Sequence, residues 1–304
     1  MSELVKNRSE ILFLYDVTDA NPNGDPVDEN KPRIDEETGV NIITDVRLKR
    51  TIRDYLYDYK GQEVFIREIR NEDGNLRTKE ERLNDFGKTS IVDKCIDIKL
   101  FGSTTAVEDR TIALTGPVQF KYGRSLHKVD ITYIKGTTVM PSGRERKQGT
   151  FTERYILPYS LIVFYGIVNE NAAKTQNIPL TEEDVGLMLE AMWNGTKNLI
   201  SGSKFGQLPR LLIQVVYKQN QNYHIGELDK LIAMVSEKAD EAIRDISEIK
   251  IDITELVKAL TSKKDKIEKI RLKVDDRIKF IENNKEIDIK QALEDSITIE
   301  ELSF

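Results

Sequence analysis

Residues 8–26 read RSEILFLYDVTDANPNGDP, a short apolar run followed by a polar loop. The run at residues 11–15 combines aliphatic, β-branched and aromatic residues, which is typical of a strand buried on both faces. The loop at residues 21–26 consists of turn formers, and its two prolines donate no backbone hydrogen bond. A buried strand ending in such a loop presents backbone amides and small polar groups to a ligand. The sequence therefore predicts a ligand-binding edge directly after the first strand.

A capped amphipathic helix follows this loop. Thr44 is a good N-cap, and Asp45 lies in the first turn. Apolar residues recur at three- and four-residue spacing and predict the buried face: Leu48, Ile52, Tyr55, Leu56 and Tyr59.

The same helix carries four basic residues, Arg47, Lys49, Arg50 and Arg53. We count one acid in pairing register, Asp54, four residues after Arg50. Helix charges commonly form a solvated face, whereas unpaired cations on one helix favour anion binding. The helix alone leaves both interpretations open.

Further along the chain, apolar runs predict strands at residues 115–125, 157–168 and 211–217. A second helix begins at the cap Thr181, with Asp184 three residues later as in a capping box. The order β-α-β-β-α-β predicts an α+β, ferredoxin-like fold enlarged by helical insertions. Beyond residue 227, helical periodicity (Leu228, Leu231, Ile232, Val235) precedes a strand candidate at residues 270–274 and a weakly helical acidic tail.

Residues 127–155 alternate apolar and polar side chains, turn at residues 141–143 and return through a basic stretch. This pattern predicts a projecting β-hairpin with a basic, Gly-containing tip. A surface hairpin that binds nothing is the alternative interpretation. The segment 201–206, SGSKFG, lacks the spacing of a P-loop but offers free backbone amides to a phosphate.

Composition sets limits on the function. The net charge is −6, yet residues 121–155 hold 8 Lys/Arg against 3 Asp/Glu, while residues 227–304 hold 15 against 20. No apolar run reaches the ~18 residues of a membrane helix. A single cysteine, Cys95, rules out disulfides within the chain and suggests a cytoplasmic protein. Two histidines, His127 and His224, cannot form a histidine-rich metal site.

Several motifs occur together and in order: the opening segment 8–26, DVRLKR at 45–50, DIKLFG at 97–102, TGPVQF with RS at 115–125, and GQLPRLL at 206–212. Over residues 8 to 230 the chain closely resembles the CRISPR-associated backbone protein of Cascade-type surveillance complexes, in the type I-B version of the RAMP superfamily. No motif beyond residue 227 contributes to this resemblance.

The resemblance implies a non-enzymatic, CRISPR RNA-binding scaffold without metal or cofactor. It implies a modified RNA-recognition-motif palm at residues 1–126 and 156–304 and a thumb hairpin at residues 127–155. Copies of the chain would assemble along one CRISPR RNA as a filament, with other Cascade subunits, and leave the guide free to pair with a target DNA strand. Sheet aromatics of the RNA-recognition-motif kind are absent from identifiable strands, which argues against base stacking on the sheet.

The resemblance and the basic segments together predict the RNA-binding residues. Lys49 and Arg53 match the positions of the first helix that grip the RNA backbone. The full set is Asn23, Arg47, Lys49, Arg50, Arg53, Arg124, Met140, Arg144, Arg146, Lys147, Ser201, Gly202, Ser203 and Lys204. Contacts to phosphates position a strand without reading its sequence, which suits a variable guide.

Other functions remain open at this stage. Asp19, Asp25, Asp28 and Asp35 lie near the first loop, so a metal-dependent ribonuclease of the type III backbone kind is conceivable. Residues 19–30 resemble a calcium loop but place Asn30 where a bidentate Glu is required. A small-molecule enzyme lacks a Cys/His/Ser constellation. For Asp25 we expect a structural role, in which its carboxylate caps backbone amides of its own loop.

Overall fold

The structure of the chain is a computed structural model that describes residues 3–86, 90–107, 110–137, 151–294 and 296–304. In chain order its strands are β1 (Ser9–Ala20), β2 (Gly24–Asp25), β3 (Lys31–Pro32), β4 (Val40–Ile43), β5 (Gly102–Val107), β6 (Arg110–Thr115), β7 (Val118–Phe120), β8 (Gly123–Lys128), β9 (Thr132–Thr137), β10 (Phe151–Val168), β11 (Gln207–Tyr217), β12 (Ala233–Ser236), β13 (Ile249–Asp252), β14 (Ile267–Val274), β15 (Phe280–Glu282), β16 (Lys285–Ile287) and β17 (Ile299–Glu301). Its helices are α1 (Asp45–Asp58), α2 (Lys79–Phe86), α3 (Ile91–Lys94), α4 (Ile96–Phe101), α5 (Glu170–Thr175), α6 (Glu182–Lys197), α7 (Thr254–Ser262) and α8 (Ile289–Glu294). The predicted α+β class is confirmed.

The largest sheet follows the path β17-β14-β11-β1-β10-β8-β4, and β7 and β9 also pair with β10. Strand β1 lies near its middle and runs antiparallel to both β10 and β11. Residues 9–17 of β1 are all buried, which confirms the predicted two-sided burial. The predicted second strand at residues 115–125 consists of two strands, β7 and β8, both paired with β10.

Alternate residues of β1 point into two separate cores, because successive side chains of a strand face opposite sides of its sheet. Phe13 packs on the side that helices α1 and α6 cover, together with Ile52 and Met188. Leu12 packs on the opposite side with Leu256 and other residues of the C-terminal region. Both faces of the central sheet are therefore covered.

The C-terminal region builds the cover of the second face. Four of its strands form a separate sheet in the order β12-β13-β15-β16, while β14 and β17 extend the largest sheet. The helix predicted after residue 227 is wrong: a 3₁₀ turn at Leu228–Lys230 is followed by strand β12, which pairs with β13. Short apolar runs do not distinguish helix from strand, and here a partner strand distant in sequence determined the outcome. The predicted strand at residues 270–274 lies within β14 and is confirmed.

Both predicted helix caps are confirmed. The Thr44 side chain accepts a hydrogen bond from the Arg47 amide, and Thr181 forms a complete capping box with Asp184. The prediction that Tyr59 is buried is wrong. Tyr59 follows the last turn of α1, is 60% exposed, and stacks on Tyr55 with ring centroids 5.0 Å apart.

Two arms of a hairpin leave the central sheet. Strand β9 pairs antiparallel with the start of β10, from Thr132 opposite Ile156 to Thr137 opposite Phe151. The side chains of these arms are mostly exposed. His127, at the start of the predicted hairpin, is buried, so the exposed arms begin after it. The predicted basic tip falls in residues 138–150, outside the described residues.

Candidate nucleic-acid interface

The polar loop after β1 is tied to two neighbouring segments. The backbone N–H of Asn21 donates to the carbonyl of Ser203 at 2.7 Å. Asn23 Oδ1 accepts hydrogen bonds from the backbone N and from Oγ1 of Thr44, at 3.0 and 2.9 Å. Three segments distant in sequence therefore meet at one place: the loop after β1, the N-terminus of α1, and the segment before β11.

The segment before β11 forms a tight turn. The Ser201 carbonyl accepts from the Lys204 amide at 3.2 Å, and the Gly202 carbonyl accepts from Arg154 Nη1 at 2.9 Å. Arg154 belongs to the exposed arm of β10, so the base of the hairpin is fixed over this turn.

A glycine is required where this segment joins the sheet. Gly206 has φ +103°, and a Cβ there would lie 2.7 Å from the carbonyl oxygen of Thr18. The Thr18 amide also donates to the Gly206 carbonyl at 3.1 Å. The close approach of the two backbones holds the turn beside the end of β1.

Two cations lie beside this junction without an acidic partner among the described residues. Arg47 Nη2 donates to Thr51 Oγ1 at 2.8 Å, and Lys204 Nζ donates to Ser203 Oγ at 3.3 Å. Burial lowers the pKa of both side chains, and the nearby positive charge of Arg47 further lowers the pKa of Lys204. Partly desolvated like charges repel each other, so a bound anion would stabilise this pair.

Two buried polar atoms at the junction also lack hydrogen-bond partners within the described ranges. They are Ser201 Oγ and Asn21 Oδ1. A serine hydroxyl can donate or accept, whereas an amide oxygen only accepts. Buried polar groups are normally paired, so these two atoms point to a ligand that offers both an acceptor and a donor.

Lys49 and Arg53 do not lie on an open surface. Lys49 pairs at 2.8 Å with Asp45, an in-register acid four residues earlier that our count of acids missed. Arg53 pairs at 2.9 Å with Asp97, whose side chain is 0% exposed, and both cations lie over the ring of Phe101. The expectation that three of the four basic residues lack acids is wrong, because Lys49 and Arg53 are both paired with acids inside the protein.

The other predicted cations differ in setting. Arg50 is exposed and pairs with Asp54 at 2.7 Å, as the sequence indicated. Arg124 on β8 is also exposed and pairs with Asp35 at 3.1 Å. Met140, Arg144, Arg146 and Lys147 lie outside the described residues.

The predicted structural role of Asp25 is confirmed. Its Oδ1 accepts from the amide of Val27 at 3.0 Å, which is the expected Asx-turn. Its Oδ2 also accepts from Arg33 Nη1 at 2.7 Å, an ion pair that the sequence did not indicate.

Three of the four acids near the first loop, Asp25, Asp28 and Asp35, are engaged by cations. Asp28 pairs with Lys31 at 2.7 Å, and Asp35 with Arg124. In the part of the chain that the structure describes, no group of three or more His, Cys, Asp or Glu side chains is arranged to hold a metal ion. Likewise, no helix of the described residues is both long enough and apolar enough to cross a membrane.

Sequence reasoning missed Thr44 and Arg154 as parts of the interface. Thr44 was recognised only as a helix cap, although the same hydroxyl also holds Asn23. Arg154 carries a positive charge in a basic segment, which was the available signal, but its contact with Gly202 joins residues 48 positions apart.

Comparisons with known proteins agree on one family. The model of the family "CRISPR-associated protein Cas7" matches residues 7–254. A protein of the same name from Haloferax volcanii is 34% identical over 307 aligned residues, which cover 90% of this chain and 88% of the relative.

Two solved structures are similar in fold. A chain of a "CRISPR RNA-guided surveillance complex, pre-nicking" aligns with a TM-score of 0.58 and 12% identity, covering 98% of this chain and 96% of that one. A chain of a "CRISPR RNA-guided surveillance complex" gives 0.53 and 14%, covering 91% and 90%. The family match and the relative together establish that this chain belongs to the Cas7 family of CRISPR-associated proteins.

Proposed function

We propose that this chain is the non-catalytic backbone subunit of a Cascade-type CRISPR RNA-guided complex of the type I-B kind. Several copies bind one CRISPR RNA side by side in the cytoplasm, together with other subunits. They hold the guide so that its bases pair with a target DNA strand. Membership of the Cas7 family and the fold shared with chains of surveillance complexes support this proposal.

The palm of this subunit is a ferredoxin-like unit made by residues 1–126 and 156–304. The spatial order β11-β1-β10-β8, with α1 and α6 on one face, supports this assignment, because it is the strand order of that fold. The opposite face, on which RNA-recognition motifs commonly stack bases, is covered by the C-terminal region. RNA therefore runs along the loop edge of the palm rather than over its sheet.

One observation carries the RNA-binding role: Arg47 and Lys204 lie on segments that the loop after β1 joins, and both are half-buried without an ion-pairing acid among the described residues. A phosphodiester passing between them supplies the missing negative charge. Asn21 Oδ1 is suited to accept from a ribose hydroxyl, and Ser201 Oγ to donate to a phosphate oxygen. None of these groups reads base identity, which a variable guide requires.

The hairpin at residues 127–155 acts as the thumb. Its base is held on one side by the Arg154 contact to Gly202. On the other side Tyr155 Oη donates to Glu29 Oε2 at 2.8 Å. These contacts hold the base of the hairpin beside the junction, and its basic residues 144, 146 and 147 would add positive charge for binding RNA.

The double variant Arg47→Ala/Lys204→Ala tests the proposal. Binding of unrelated single-stranded RNAs should weaken equally. The salt slope, which is the slope of the logarithm of the binding constant against the logarithm of the salt concentration, should become shallower by about 1.4, or ~0.7 for each lost phosphate contact. The matched control Lys250→Ala/Lys258→Ala removes two exposed charges from the C-terminal region and should leave the slope unchanged.

Two results would contradict the scaffold role. A loss confined to one RNA sequence would indicate base reading rather than phosphate contacts. Cleavage of paired RNA at fixed spacing by the wild type with Mg²⁺, abolished by Asp25→Asn, would instead establish the ribonuclease function.

A further inference from the structure

We call the junction of the loop after β1, the N-terminus of α1 and the segment before β11 the RNA cleft. A pocket of about 470 Å³ lies next to it, between the N-terminus of α1 and the insertion formed by residues 60–101. It shares Asn23, Thr44 and Arg47 with the cleft and continues into the insertion. A strand bound at Arg47 therefore lies beside the pocket, because Arg47 belongs to both.

The wall of this pocket is strongly basic. Besides Arg47 it contains Arg50, Arg53, Arg67, Arg77, Lys79 and Arg82, and no lining residue is acidic. Arg50 and Arg53 are neutralised by Asp54 and Asp97. Within the described residues, Arg67, Arg77 and Arg82 share two acids, Glu63 and Asp85. In the same part of the chain, Lys79 has no acidic partner.

Two guanidinium groups of the pocket retain unused donors. The Nε atoms of Arg67 and Arg82 are buried and make no hydrogen bond in the described part of the chain, and Arg67 Nε lies 3.7 Å from Glu63 Oε1, beyond hydrogen-bond distance. Arg82 is 9% exposed, and its remaining nitrogens are fixed by Glu63 and Asp85. A guanidinium with one unpaired N–H can still donate to a phosphate oxygen, and such charge-assisted hydrogen bonds are stronger than neutral ones.

An apolar surface adjoins these donors. Val46 is 65% exposed and Ile66 is 44% exposed, so both offer apolar surface beside the cations. The volume falls within the range of small-ligand sites, about 300–1,000 Å³. A ligand with both an anionic group and a flat apolar part fits this combination of walls.

We propose that this pocket binds one nucleotide unit of single-stranded RNA that occupies the cleft. Its phosphate contacts Arg67, Lys79 and Arg82, and its base lies against Val46 and Ile66. The inference rests on the proposed function, because it is the strand held at Arg47 that supplies this nucleotide.

A photocrosslinking experiment tests the pocket. The photoreactive residue p-benzoylphenylalanine replaces Ile66, and in a control protein it replaces Val235, which is equally exposed at 44% but lies in the C-terminal region. With labelled single-stranded RNA, the probe at position 66 should crosslink to RNA, and the probe at position 235 should not.

A second variant links the crosslink to the cations. Arg67→Gln/Lys79→Gln should abolish the crosslink at position 66 and lower the salt slope of RNA binding by about 1.4. Lys250→Gln/Lys258→Gln should change neither. RNA binding itself should persist, because Arg47 and Lys204 are intact.

Each other outcome overturns the inference. Normal RNA binding without a crosslink at position 66 would show that the pocket does not bind RNA, while the proposed function would still hold. A crosslink to a second copy of the chain identifies an acidic protein segment as the occupant. A crosslink that persists in Arg67→Gln/Lys79→Gln would show that these cations do not hold the nucleotide. Failure of the wild-type protein to bind RNA would contradict both this inference and the proposed function.

Discussion

Replacement of Arg53 by alanine should lower the free energy of unfolding and leave the affinity for RNA unchanged. Arg53 Nε donates to Asp97 Oδ2 at 2.9 Å, and the Asp97 side chain is 0% exposed. Removing one partner of a buried ion pair costs about 3–5 kcal/mol, because the other charge stays desolvated. Asp97 keeps two donors, the amides of Phe65 at 2.8 Å and Ile66 at 3.1 Å. We therefore expect the lower end, about 3 kcal/mol.

Urea unfolding measures this loss. With an m-value of about 3 kcal/mol/M for a chain of this size, the midpoint of Arg53→Ala should fall by about 1 M. Arg50→Ala on the same helix is the control, since its ion pair with Asp54 is exposed and is worth at most about 1 kcal/mol. The salt slope of RNA binding by folded Arg53→Ala should equal that of the wild type, whereas Arg47→Ala should lower the slope by about 0.7.

One result would refute this reasoning. If Arg53→Ala unfolds at the wild-type urea concentration but loses as much salt dependence as Arg47→Ala, then Arg53 contacts phosphate directly. The role implied by the family resemblance would then stand, and the ion pair with Asp97 would have to open when RNA binds.

Three further predictions concern the loop, the hairpin and Lys204. Asp25→Asn keeps the oxygen that accepts from Val27, so RNA binding should persist with or without Mg²⁺ in a filter-binding assay, whereas Asp25→Ala should weaken it by loosening the loop. Deleting residues 132–150, which include β9, with a Gly-Ser bridge should leave a palm that still unfolds cooperatively when followed by circular dichroism, but should abolish regular arrays on guide RNA in electron micrographs. Persistent arrays would exclude the thumb role. The pKa of Lys204 is lowered in the free protein, and a bound phosphate would raise it. Binding of RNA therefore takes up a proton, so the affinity for RNA should fall as pH rises from about 7 to about 10. Lys204→Arg, which stays charged over this range, should show a smaller fall; equal pH profiles would contradict the role of Lys204.

Local patterns were sufficient for the elements that depend on neighbouring residues. The run at residues 11–15 indicated β1 because a continuous apolar segment can be buried on both faces. Thr181 and Asp184 indicated the start of α6 because a capping box involves residues only three positions apart. The Asx-turn of Asp25 spans two residues and was predicted for the same reason.

Contacts between distant segments were not readable from the sequence. The ion pair of Lys49 with Asp45 is a local exception, because the two residues lie one helical turn apart and the sequence alone contains this signal. Arg53 is different, because Asp97 lies 44 positions further along the chain and no local pattern connects them. The strands after residue 227 were also missed, since β12 forms by pairing with β13.

The amino-acid sequence by itself determined the buried first strand, the two capped helices, the order of the central elements and, through its ordered motifs, the family. These features depend on hydrophobic periodicity and on side chains within one helical turn of each other. Only the tertiary structure decided which cations remain without acids. Arg53 shows why: its partner Asp97 lies 44 positions further along the chain, and the free energy of a buried charge is set by its nearest opposite charge rather than by its place in the sequence.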